Sequence, residues 1–132
     1  MIGLDTNVLV RYITQDDPVQ AALATDFIEQ HLSSHNPGII SHIVLCETAW
    51  VLSRAYHYAH EQVAETLNAI LTCQEFVVES ADIAIQAWQD YAQGNADFSD
   101  YLLGRTHQRL GASHTVTFDR KAGSATTFQR LG

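Results

Sequence analysis

Five carboxylates stand in settings where a side chain can do more than face solvent. Asp5 follows the apolar opening Met1-Ile2-Gly3-Leu4. Glu47 interrupts the most apolar stretch of the chain, between Cys46 and Ala49-Trp50-Val51-Leu52. Asp97 and Asp100 bracket Phe98-Ser99, and Asp119 ends the run Thr115-Val116-Thr117-Phe118. Oxygen ligands without a His or Cys pattern select hard cations, Mg²⁺ or Mn²⁺, which keep several waters and need few carboxylates. One or two such ions can activate a water and stabilise the charge that develops in in-line phosphodiester cleavage. Carboxylates gathered this way repel one another, by roughly 4 kcal/mol per pair at contact distance in a partly screened setting. The set therefore persists only if cations or basic groups neutralise it.

Each acid also has a plainer use. Asp5 can cap the helix that starts near Thr6 or Asn7. Glu47 can occupy the exposed face of a helix that is apolar nearly all round, a face it shares with Ile43 and Trp50. Asp97 as N-cap with Asp100 three positions on forms a capping-box variant that the helix dipole favours. Asp119, followed by Arg120-Lys121, can close a surface turn. Capping and metal binding are compatible, so what matters is convergence.

The elements that must bring the acids together follow from pattern. A short buried strand at the N-terminus leads into a helix over 7–14. Asp17-Pro18-Val19-Gln20 starts a second helix, with Asp17 as cap and Pro18 at the first position, its apolar face carrying Val19, Leu23, Phe27 and Ile28. Asn36-Pro37-Gly38 is a turn before a strand at Ile39-Ile40, with Ser41 at its end. A strongly apolar helix runs from Ile43 to Tyr56 and another over 61–73. Phe76-Val77-Val78 is a strand, Ser80 caps a helix through Tyr91, and a further helix spans Asn95 to Leu110, stopped by Gly111. Thr115 to Phe118 is a strand, 120–125 a helical turn, and Phe128 to Leu131 an edge strand. Short apolar strands alternating with helices imply an α/β fold, a parallel sheet with helices on both faces. Right-handed crossovers put the strand C-termini at one edge, where open α/β sheets bind ligands; Asp5 and Asp119 both end strands there.

Bulk properties narrow the class. One domain of 132 residues, with no repeat or linker, is long enough to bury a core. No apolar run approaches the ~20 residues that span a bilayer, and no signal-peptide pattern opens the chain, so the expected location is the cytoplasm and no membrane is involved. Cys46 and Cys73 lie in apolar segments and read as buried thiols. A net charge of −8 argues against nucleic-acid binding through a general basic field. Four of the seven basic residues, Arg105, Arg109, Arg120 and Lys121, cluster late in the chain and permit a local patch. The histidines show no paired-ligand spacing, Trp50, Trp88 and Phe27 read as core, and Walker A, GxGxxG and nucleophile-elbow motifs are missing.

Asp5-Thr6-Asn7 after the first strand, Glu47 on the helix after the second, Asp97-Phe98-Ser99-Asp100 opening a late helix and Thr117-Phe118-Asp119 ending a strand together resemble the PIN-domain pattern. Within that family the chain is most similar to the VapC-type ribonuclease toxins of bacterial toxin–antitoxin pairs. The likeness runs in order from residue 1 to about 125. It implies a PIN-like three-layer sandwich around a short parallel sheet of four to five strands, formed by residues 1–132 as a single domain. It also implies a Mg²⁺- or Mn²⁺-dependent endoribonuclease that acts on RNA, forms a homodimer and is held inactive by a cognate antitoxin protein. The family's metal-binding acids map onto Asp5, Glu47, Asp100 and Asp119, with Asp97 as auxiliary ligand or cap. Thr6, Asn7, Ser41 and Thr117 fall at polar positions that suggest hydrogen bonding around the site.

Two other strand-end Asp enzymes fit less well. A haloacid-dehalogenase-type phosphatase needs a second acid where Asn7 stands, and a receiver domain needs paired acids at the first strand and a late strand-end Lys. The non-enzyme reading is a catalytically inactive PIN-like module whose acidic pocket binds a basic partner peptide.

Overall fold

Strand β1 is two residues long, Ile2–Gly3, and that brevity shapes the sheet. In the computed structural model, which describes residues 1–132, β1 lies parallel to β2 (Gly38–Ile40), and β2 lies parallel to β3 (Phe76–Val78). The backbone N–H groups of Ile2 and Leu4 both donate towards the β2 segment, to the carbonyls of Pro37 and Ile39 at 3.1 and 3.0 Å. Strands β4 (Thr115–Thr117) and β5 (Phe128–Arg130) form a separate parallel pair, extended by bonds from Thr115 N–H to Thr127 and from Leu131 N–H to Thr117. The expected strands are thus all present, divided into a three-stranded sheet and a two-stranded pair. With so few residues, β1 spends its ladder bonds on β2, and β4 takes its partner from β5.

Side-chain caps start the first three helices, whereas Ser80, expected to cap the fifth, makes no side-chain cap bond. Helix α1 (Thr6–Thr14) is capped by Asp5. Helix α2 (Pro18–His31) begins with Pro18 at its first position, and the Asp17 carboxylate accepts from Val19 N–H and Gln20 N–H at 3.1 and 3.0 Å. Helix α3 (His42–Arg54) is capped by Ser41, whose hydroxyl accepts from Val44 N–H at 3.2 Å. Helices α4 (His60–Leu71), α5 (Ala81–Gln93) and α6 (Phe98–Arg109) complete the set. Each step from one parallel strand to the next in the first sheet passes through two helices, the long crossover that parallel pairing demands.

A contiguous apolar core joins every helix, with Leu9, Leu45, Leu52, Leu67 and Ile40 fully buried. Phe98 matters most for the site. Buried between Asp97 and Ser99, it contributes roughly 1.5–3 kcal/mol of burial free energy and anchors the first turn of α6. A bidentate pair from Arg105 Nε and Nη2 to Asp90 at 2.7 and 2.8 Å clamps α6 to α5. Helix α6 also meets the start of β5 closely, Gly104 lying directly against the side chains of Thr127 and Phe128. A Cβ on Gly104 would stand 2.3 Å from Thr127 Oγ1 and 2.7 Å from Phe128 Cε2. Gly104→Ala should therefore destabilise the protein by about 1–3 kcal/mol despite its better helix propensity, read as a lower midpoint in chemical denaturation. An unchanged midpoint would show that the β5 segment yields freely.

Several expectations about burial are corrected. Val19 and Leu23 are exposed; α2 packs through Ala21, Ala24 and Ile28 instead. Small residues let α2 lie close, and Leu23 with Phe27 borders an apolar groove with Ile2, Leu4 and Val8. Trp50 is 56% exposed and not core. Trp88 is half-buried, its indole N–H donating to the Ala64 carbonyl at 2.7 Å. Both cysteines are free and only half-buried, and Cys73 lies beyond the end of α4. No helix is long and apolar enough to cross a membrane.

Candidate active site

The carboxyl ends of β1, β2 and β3 share one edge, and the chain places acids or helix starts at each. Asp5 stands two residues past β1, α3 with Glu47 follows β2, and Glu79 follows β3. The Asp5 carboxylate accepts from Thr6 N–H at 2.7 Å, the capping bond expected of it. The Thr6 hydroxyl donates to Glu47 Oε1, also at 2.7 Å. One threonine thus ties the first turn of α1 to the second turn of α3 and holds both acids. Glu47 is exposed, so no burial penalty attaches to its charge.

Asp97 and Asp100 open α6 as anticipated. Asp97 N–H donates to Asp100 Oδ2 at 3.3 Å, while the Asp97 side chain makes no capping bond of its own. Burial raises the pKa of Asp100, helped by the negative charges of Asp97 and Asp119. Those couplings place the late acids within electrostatic reach of one another. Cys46 connects them to the early ones. Its thiol is pushed up to about 11, first by burial and then by the charges of Asp100 and Glu47, so both carboxylates act on the same group.

Asp119 is anchored locally. Its N–H donates to Thr117 Oγ1 at 3.0 Å and its Oδ1 accepts from Ala122 N–H at 2.8 Å, which starts the 3-10 turn Ala122–Ser124. Acids from four segments are therefore neighbours. As their side chains stand, no three acidic, His or Cys groups close on one point at metal-ligand range. Asp5, Glu47 and Asp119 each give one oxygen to Thr6 or to Ala122. The donor set, oxygen-only and anionic, suits a hard divalent cation, and the pKa of Asp100 is raised chiefly by burial, with the charges of Asp97 and Asp119 adding to it.

The expected polar helpers divide. Thr6 bonds Glu47 directly, and Thr117 bonds the backbone of Asp119. Ser41 acts on the site only through the cap of α3. Asn7 makes no bond to an acid and borders the α1–α2 groove. Sequence reasoning missed two participants. Glu79 Oε1 accepts from His42 N–H at 2.8 Å and so fixes the N-terminus of α3; its signal was an acid directly after a strand, the feature that singled out Asp5. Cys46 could have been found as the residue beside Glu47 in the same apolar helix. The late basic patch is smaller than expected, because Arg105 and Arg109 are engaged by Asp90 and Asp82.

The family profile described as "PIN domain" matches residues 2–126. A protein of Aquifex aeolicus (strain VF5) named VapC ribonuclease is similar to the chain, with 23% identity over 98% of this chain and 90% of its own length. No solved structure matches significantly. With nearly its whole length matched, the chain belongs to the PIN-domain family.

Proposed function

We propose that the chain is a divalent-metal-dependent endoribonuclease, the VapC-type toxin of a toxin–antitoxin pair, with residues 1–132 forming one PIN domain in the cytoplasm. The observation that carries this reading is the neighbourhood of carboxylates from four chain segments, Asp5 and Glu47 held by Thr6 and Asp100 within electrostatic reach of Asp97 and Asp119. The relative named VapC ribonuclease supports the choice of RNA as substrate and of a cognate antitoxin as inhibitor. A homodimer is part of the same proposal.

Asp5, Glu47, Asp100 and Asp119 would hold Mg²⁺ or Mn²⁺, with Asp97 at the margin. When bound, the ion supplies a Lewis acid that makes water a nucleophile at neutral pH and offsets charge on the phosphate. The chain's own part is orientation. Thr6 fixes the carboxylate of Glu47, Phe98 anchors the turn that presents Asp97 and Asp100, and Thr117 with Ala122 fixes Asp119. Second-layer hydrogen bonds of this type are commonly worth about 10–100-fold in metal affinity or activity.

The spread of the carboxylates favours one rival, an acidic pocket that binds a basic peptide without catalysis. Purified protein incubated with single-stranded RNA separates the two. The nuclease reading requires cleavage with Mn²⁺ or Mg²⁺ that EDTA stops and re-added metal restores. Absence of cleavage with both ions would leave the binding module.

A further inference from the structure

Of the seven basic residues, Arg11, Arg105 and Arg109 are held in ion pairs by Asp16, Asp90 and Asp82. Arg54, Arg120, Lys121 and Arg130 are not. Two of these four directly follow Asp119, and Arg54 lies on α3, the helix that carries Glu47. The guanidinium of Arg54 sits over the indole of Trp50 at 5.9 Å from the ring centroid, and Trp50 is 56% exposed. Trp50 is three residues past Glu47, so it shares that acid's helix face one turn on. It also shares a shallow cleft with Asp97, Ser99 and Cys46, which puts it against the late acids as well. Phe118, 79% exposed, precedes Asp119-Arg120-Lys121 in the chain. Exposed aromatic rings and cations free of ion pairs thus stand next to acids at two places, in a protein of net charge −8.

We propose that Trp50 and Arg54 form a shelf that positions the RNA strand, with one unpaired base stacked on the indole and the adjoining phosphate held by the guanidinium. This rests on the ribonuclease reading and specifies where its substrate lies. The cleft beneath is only about 30 Å³, too small for a base, so the base lies on the ring and not in a pocket. Aromatic stacking accepts any base, and a nearby Arg adds cation–π and phosphate attraction. Arg54 has no carboxylate partner, so its guanidinium is available to a phosphate. Local cations on α3 and after Asp119 would let an acidic protein hold a polyanion without a general basic field.

The test uses the full-length chain and two readouts. The first is cleavage of a random-sequence single-stranded RNA pool with Mn²⁺. Trp50→Ala is expected to lower kcat/KM by about 5- to 150-fold, the usual range for one lost base stack, for substrates of any base at the stacked position. Trp50→Phe should retain most activity, and Arg54→Ala should reduce the slope of log affinity against log salt by about 0.7. The second readout is tryptophan fluorescence on adding a hydrolysis-resistant 2′-O-methyl phosphorothioate RNA. Trp50 should be quenched, whereas Trp88, half-buried and bonded to Ala64, should not, so Trp50→Phe should abolish the response. Unchanged cleavage in Trp50→Ala would overturn the shelf, and so would a variant that loses only self-association. Metal-dependent cleavage without quenching keeps the enzyme and removes the shelf. Quenching without cleavage keeps the shelf and removes the enzyme, and neither signal removes both.

Discussion

Asp5→Asn is expected to reduce metal-dependent RNA cleavage by about 10³-fold while leaving a folded protein. The loss follows from removing the carboxylate closest to the Thr6–Glu47 link, and losses of this size are typical when a preorganised charge is deleted from an active site. The fold survives because the second role of Asp5 is conserved by the substitution. Its carboxylate oxygen accepts from Thr6 N–H at the start of α1, and Asn is as good an N-cap as Asp. Asp5→Ala separates the two roles. It should lose the same activity and an additional ~1 kcal/mol of stability from the missing cap. Circular dichroism and a denaturation midpoint, read beside a cleavage assay, check both variants. Full activity in Asp5→Asn would remove Asp5 from the chemistry.

The second large effect is at Asp100, where activity and stability should move in opposite directions. Burial and the charges of Asp97 and Asp119 hold the folded-state pKa of Asp100 above its ordinary value. The folded chain thus binds this proton more tightly than the unfolded chain does. Its stabilising contribution is present below the ordinary carboxylate pKa and is lost as pH rises through the raised value, so at neutral pH the charged form works against the fold. Asp100→Asn in metal-free protein should accordingly gain stability. The gain is on the order of 1 kcal/mol after allowance for solvent screening and for the favourable dipole at the third position of α6. That corresponds to a few degrees in Tm. The advantage over wild type should shrink as pH falls into the carboxylate range, and cleavage should fall with the loss of one ligand. A variant less stable than wild type at neutral pH would contradict the repulsion argument.

What the sequence disclosed was mainly what short-range chemistry controls. Asp17-Pro18, Ser41 and the Asp97–Asp100 pair mark helix starts because each needs only a side-chain oxygen or a fixed φ near its own backbone. Strand Phe76–Val78 was legible because three apolar residues lie between polar turns. The acids were legible because strand ends and a carboxylate inside an apolar helix are local anomalies. Features set by distant partners were not. The exposure of Trp50 depends on where α6 crosses α3, and the exposed Val19 and Leu23 depend on α2 approaching through its alanines. Arg105 and Arg109 could not be assigned to Asp90 and Asp82 before the α5–α6 packing was known. Helical periodicity identifies a stripe of apolar residues, but only the neighbours decide which stripe is covered. The division of the strands into three and two has the same origin, since β1 is too short for its pairing to be read from pattern.

The central claim is that these carboxylates act together as one divalent-cation site. Titration of metal-free protein with Mn²⁺, followed by the electron paramagnetic resonance signal of the free ion, tests it most directly. Wild-type protein should take up Mn²⁺ saturably, and Asp5→Asn, Glu47→Gln, Asp100→Asn and Asp119→Asn should each weaken that uptake in parallel with RNA cleavage. Equal Mn²⁺ affinity in all four variants, or no uptake by the wild type, would contradict the account.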